Sequence, residues 1–129
     1  MTLRPSFLLV AFLTGCSSSP SAPGDVPVGR EFVLKPGESA TVEGTDLRIT
    51  FQSVVEDSRC PVDVTCVHAG DAVVALAVGD HPLQLRSNSE PEEVVGGHIL
   101  RLERVDPKAY SDRTIPPGDY RAVLKVTAR

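Results

Sequence analysis

Hydrophobic and polar positions alternate along this chain in short runs, and the runs are separated by Pro, Gly and Asp. In "DLRITFQSVVED", Leu47, Ile49 and Phe51 fall on one face and Arg48, Thr50 and Gln52 on the other, the period of a half-buried strand. "DAVVALAVG" and "HPLQLRS" make a pair joined at Gly79-Asp80, a hairpin turn signal. "GGHILRLERVDP" and "DYRAVLKVTAR" supply further strands, and "REFVLKP" with "ESATVEG" predicts a leading hairpin around Pro36-Gly37. About seven short strands, with no helical pattern longer than about two turns, predict an all-β fold, an antiparallel β-sandwich.

The segment "PPGDYRAVLKV", residues 116–126, resembles the closing strand of immunoglobulin-like domains, where a Gly-x-Tyr enters the last strands. The resemblance implies an immunoglobulin-like sandwich. No cysteine pair that could bridge two sheets accompanies it, because Cys60 and Cys66 lie close together in one predicted loop.

The start of the chain reads differently. "MTLRPSFLLVAFLTGC" has a basic residue at Arg4, an apolar run from Phe7 to Leu13 and small residues before Cys16, the layout of a secretory signal. The apolar run is far too short to span a bilayer as a mature helix. Leu13-Thr14-Gly15-Cys16 resembles the lipobox of bacterial lipoproteins, which implies cleavage after residue 15 and acylation of Cys16. Two buried acyl chains already give stable anchoring, and the three that the resemblance implies would hold the protein on the membrane. Ser17 follows Cys16 in place of the aspartate that retains many such proteins in the inner membrane, so in a Gram-negative host the expected location is the outer membrane, facing the periplasm. Residues 16–29, "CSSSPSAPGDVPVG", then read as the lipidated cysteine and a Ser/Pro/Gly tether, with a single domain over residues 30–129.

A domain of about one hundred residues supports one core. The formal charge of −4 becomes −5 once Arg4 leaves with the signal. A mildly acidic domain without Trp, whose aromatics are Phe32, Phe51, Tyr110 and Tyr120, offers neither the basic stripe nor the stacking platform of nucleic-acid binding. The sequence holds no Gly-rich phosphate loop or dinucleotide fingerprint and calls for no cofactor.

"VVEDSRCPVDVTCVHAG", residues 54–70, concentrates the candidate chemistry. Cys60 and Cys66 enclose "PVDVT", and in an oxidising compartment two such thiols pair, so the favoured reading is a structural disulfide. Two other readings stay open. Cys60, Cys66 and His68 could ligate a metal with Asp63 or another histidine, although the spacing is wider than the usual zinc clip. A redox-active pair would need a Cys-x-x-Cys spacing that is absent. Asp57 and Arg59, flanking Ser58, could form a polar cluster that fixes the loop against the sandwich edge or supports a rigid recognition surface.

Asp57, Ser58, Arg59, Cys60, Pro61, Val64, Cys66 and Gly70 resemble the signature of a family of small bacterial lipoproteins and secreted domains of unknown function, which reads Asp-Ser-Arg-Cys-Pro, then Val, Cys, Trp and Gly. His68 stands where that family has tryptophan, and is expected to replace the aromatic by packing over the disulfide.

Other chemistry is thinly supported. His68, His81 and His98 occupy separate predicted segments and no Gly-x-Ser-x-Gly elbow is present, so no catalytic residue is assigned. Two histidines converging on one face would restore a transition-metal site. "SNSEPEE" brings Glu90, Glu92 and Glu93 together without the Asp/Asn ladder of a calcium loop, and reads as a solvated connection. The expected function is non-catalytic binding at the cell envelope. It would act through the membrane anchor and an envelope protein partner, with Asp57, Ser58, Arg59, Asp63 and His68 as the loop surface. The alternatives are a periplasmic metal-binding protein using His68 with neighbouring Cys or His, and an inhibitor of an envelope or external hydrolase.

Overall fold

The computed structural model describes Gly15 and residues 24–129. The expected signal peptide (apart from Gly15), the lipidation site Cys16 and the first part of the tether lie outside the described residues. Nine strands are described: β1 (Asp25–Val26), β2 (Glu31–Leu34), β3 (Ser39–Val42), β4 (Arg48–Asp57), β5 (Ala72–Val78), β6 (His81–Arg86), β7 (Glu92–Val95), β8 (His98–Asp106) and β9 (Arg121–Ala128). One short 3-10 turn, Pro117–Asp119, precedes β9.

The strands form two sheets, ordered β1-β3-β4-β5-β6 and β2-β9-β8-β7. All pairings are antiparallel except that of β1 with β3. The inward residues of both sheets make one core: Ala40, Val42, Ile49, Phe51, Val74, Leu76 and Leu85 from the first meet Phe32, Leu34, Leu100, Leu102, Leu124 and Val126 from the second. Full burial of each Leu, Ile or Phe here contributes roughly 1.5–3 kcal/mol. The all-β sandwich expected from the alternating pattern is the observed architecture, with the strands arranged as two meanders, β3 to β6 and β7 to β9.

Three features differ from the sequence reading. Strand structure begins at Asp25, inside the segment read as a tether up to residue 29: Val26 is buried, and the Gly29 N–H donates to the Val126 carbonyl at 2.7 Å. Val26 is an apolar residue in a polar, Pro/Gly-rich run, and the sandwich edge offers it cover. The predicted hairpin around Pro36-Gly37 is a turn but not a hairpin, because β2 pairs with β9 in one sheet and β3 with β4 in the other. Phe32 and Leu34 on β2 and Ala40 and Val42 on β3 all point inward, so the two strands face each other across the core instead of sharing a ladder. The third difference is β7, whose first residues, Glu92 and Glu93, come from the stretch read as a solvated connection.

The Gly79-Asp80 hairpin forms as expected, with Val78 opposite His81. Gly79 alone takes a positive φ, +59°, as glycine does at the first position of a II′ turn.

Candidate functional site

The loop between β4 and β5 is built upward from the end of β4. Two register shifts, between Phe51 and Ser53 and between Val54 and Glu56, bend that strand. They leave Val54 packed against the core, Val55 exposed, and Asp57 opposite the fully buried Ala72. A carboxylate turned toward the sandwich interior needs partners, and Arg59 and Tyr120 supply them. Arg59 binds it in a fork, Nε to Oδ1 at 2.8 Å and Nη2 to Oδ2 at 2.8 Å, and the Tyr120 hydroxyl donates to Oδ2 at 2.9 Å. The remaining terminal nitrogen of Arg59 donates to the Val105 carbonyl at 2.7 Å. Asp57 belongs to one sheet, while Val105 and Tyr120 belong to or adjoin the other, so the cluster ties the two layers together at this end of the sandwich. The side chains of Arg59 and Asp57 are only 15% and 16% exposed, which separates this pair from the solvent-washed ion pairs elsewhere.

Burial alone would raise the Asp57 pKa, but the hydrogen bonds from Arg59 and Tyr120, with the guanidinium charge, outweigh it and hold the carboxyl below its ordinary value. Burial and the same carboxylate push the Tyr120 phenol up to about 12.

Cys60 and Cys66 are disulfide-bonded, with Cα atoms 5.8 Å apart, which closes the loop. Further ties hold it down. Cys60 N–H donates to Ala69 C=O at 2.8 Å, and Val62 N–H to Ala109 C=O at 2.9 Å. Asp63 accepts from the Ser111 N–H at 3.0 Å and from the Ser111 hydroxyl, and these bonds lower its pKa. Ser58 and Asp71 pair at the loop base: Ser58 N–H donates to the Asp71 carbonyl at 2.7 Å, and Asp71 N–H donates to Ser58 Oγ at 3.1 Å. The Asp71 carboxylate then accepts from the N–H groups of Asn88 and Ser89 at 2.7 and 2.9 Å, joining this base to the segment after β6. Gly70 follows with φ +67°, and a Cβ placed there would lie 1.8 Å from the Ser58 carbonyl oxygen.

Beside Asp63, Thr65 and His68, this fixed loop presents apolar side chains to solvent. Val62, Val64 and Val67 are 54%, 45% and 95% exposed. Beside the loop lies a polar cavity of about 220 Å³, lined by Asp57, Arg59, Pro61, Tyr110, Arg113 and Tyr120 among others. Arg113 stacks over the Tyr110 ring, 4.7 Å from its centroid.

The residues singled out from sequence are therefore distributed unevenly. Asp57, Ser58, Arg59 and Asp63 are anchors whose polar atoms are spent on holding the loop. His68 is exposed on the loop. The cysteines are bonded to each other, which removes the thiolate ligands of the metal reading. Among the described residues no three His, Cys, Asp or Glu side chains converge on a metal-sized site. Sequence reasoning missed Tyr120, Ser111 and Asp71 as partners of the loop. Tyr120 carried a signal, the Gly-x-Tyr entry into the last strand; Ser111 and Asp71 carried none. It also passed over the exposed valines, whose alternation with polar residues looks like any strand.

Compared with known proteins, the chain matches no family model, no curated protein and no solved structure.

Proposed function

We propose that this protein is a lipid-anchored, non-catalytic recognition module of the bacterial cell envelope, and that the disulfide-closed loop is its binding surface. One observation carries the reading: three valines stand exposed on a loop locked by a covalent bridge, a cross-sheet hydrogen bond from Arg59 to the Val105 carbonyl and backbone bonds at its base. A loop held this way loses little conformational entropy when a partner covers it, and its apolar side chains supply the contact. The lipobox-like Leu13-Thr14-Gly15-Cys16 and the Asp57 to Gly70 signature of small exported lipoproteins support the location.

Two measurements test it. Metabolic labelling with palmitate should mark the wild type, and Cys16→Ala should abolish the label and release the protein from membranes. In-cell cross-linking from the loop should give a discrete adduct. The triple variant Val62→Ser, Val64→Ser, Val67→Ser should lose that adduct with its unfolding midpoint unchanged, while Val33→Ser, which removes an exposed valine from β2, should keep it. Equal cross-linking by the triple variant would overturn the assignment of the loop.

A further inference from the structure

The other end of the sandwich holds a cavity of about 430 Å³. It lies about 30 Å from the disulfide loop, the length of the ten-residue β4 at roughly 3.3 Å per residue. Its origin is legible in the two edge strands. On β6, Leu83 and Leu85 face inward opposite Leu76 and Val74, and the same face should continue through an apolar residue opposite Val78; the residue there is His81. On β7, Val95 faces inward, and the position before it on that face, opposite the fully buried Leu100, is Glu93. Both edge strands thus place an ionisable side chain where alternation calls for an apolar one. The two sheets do not close over Leu47, Val78, Leu83 and Val95, which pack against the core only in part. A break in the alternation of a strand is a place where function is expected.

The opening is apolar inside and carries two carboxylates, Asp46 and Glu93, with no Lys or Arg in its lining. Among the described residues neither carboxylate has an ion-pair or hydrogen-bonding partner. By contrast, the adjacent Glu92, on the outward face of the same strand, pairs with Arg101. A cavity of this volume, mostly apolar with a few polar groups at its mouth, has the character of a small-molecule site.

We propose that this cavity binds a small amphiphilic cation: an apolar body against Leu47, Leu83 and Val95, and an ammonium head received by Glu93 and Asp46. Charge complementarity selects the occupant, since an anion of the same shape meets two uncompensated carboxylates and a neutral body gains nothing from them. The site stands apart from the loop and does not rest on the function proposed for it.

The test is calorimetric titration of the full chain, carrying Cys16→Ala to keep acyl chains out of the experiment, with octylamine, octanol and octanoate. Octylamine is expected to bind at least tenfold more tightly than octanol, and octanoate not to bind measurably. Glu93→Gln should reduce the preference for amine over alcohol, and Glu93→Gln with Asp46→Asn should erase it, with the unfolding midpoint unchanged in both. Glu92→Gln, one residue away on the opposite face, should leave the preference intact. Leu83→Ser should weaken amine and alcohol alike. Equal binding of amine and octanoate, no binding of the amine by a folded protein, or an amine preference that survives Glu93→Gln with Asp46→Asn in full would each overturn the proposal.

Discussion

Replacing Gly70 by Ala perturbs the loop base at one point with a magnitude that can be built from the structure. The backbone there sits at φ +67°, a conformation that costs an L-residue roughly 1–2 kcal/mol. The new Cβ would also lie 1.8 Å from the Ser58 oxygen and 2.6 Å from its carbonyl carbon. Both are backbone atoms, so no side-chain rotation relieves the contact and the two segments must part. Parting them strains the Ser58 to Asp71 bonds and the Cys60 to Ala69 bond, each worth about 1 kcal/mol net. The sum is about 3–5 kcal/mol. The control is Gly37→Ala, where φ is +88° but nothing lies within 4 Å of the added carbon, so only the conformational term applies, about 1–2 kcal/mol. Urea unfolding of both variants, compared with wild type at equal slope, measures the difference. For a domain of about one hundred residues, each kcal/mol moves the thermal midpoint by about 4–8 °C, so the two variants separate cleanly by either method. A Gly70→Ala protein no less stable than Gly37→Ala would refute the argument that the close approach to Ser58 requires glycine.

Other outcomes follow from the same geometry. Tyr120→Phe removes a donor to a partly buried carboxylate and is expected to destabilise the domain by about 1 kcal/mol in urea unfolding; an unchanged midpoint would mean that Arg59 alone satisfies Asp57. The paired replacement Cys60→Ser, Cys66→Ser should cost about 2 kcal/mol, the chain-entropy value for so short a loop, and an intact-mass measurement on the wild type should show two hydrogens fewer than the reduced chain. Asp57, Asp63 and Asp71 all have folded pKa values below the ordinary carboxylate value. Their contribution is therefore fully present above the unfolded value of about 3.9 and is lost as pH falls through the lower folded values. Midpoints measured from pH 7 downward should hold above about pH 5 and fall below about pH 4; a loss that begins near pH 6 would contradict this assignment.

Period-two alternation and short apolar runs were enough to find β4, β5, β6, β8 and β9; β4, β6 and β8 bury one face and expose part of the other, while β5 and β9 bury Val73 and Val123 on the second face as well. It could not find β1, whose two residues carry no period, and it did not mark Glu92 and Glu93 as strand because neither is buried. The Pro36-Gly37 turn shows the limit most plainly. Two alternating runs around a tight turn are compatible with a hairpin or with a crossing between layers, and the pattern of a single strand does not say which sheet it joins. At the loop, the pairing of Cys60 with Cys66 was expected from their separation and the compartment that the lipobox resemblance implies, and the Asp57 and Arg59 cluster from their flanking positions. Tyr120 and Ser111 reach the same place from far along the chain, and only the three-dimensional register of β9 and of the segment after β8 brings them there.

The division of β2 and β3 between sheets also governs how the chain assembles. The ladder of β2 is made with β9, whose paired residues begin at Ala122 and end at Lys125, so one of the earliest strands has its hydrogen-bonding partner near the far end of the chain. β9 is moreover an interior strand, flanked by β2 and β8. The second sheet cannot form from its N-terminal portion while synthesis is under way. Closure must wait for a loop of nearly the whole domain, an entropic demand that slows folding in proteins dominated by distant pairings. The meander from β3 to β6 can pair earlier, but its apolar face has no complete opposing layer until β9 takes its place between β2 and β8.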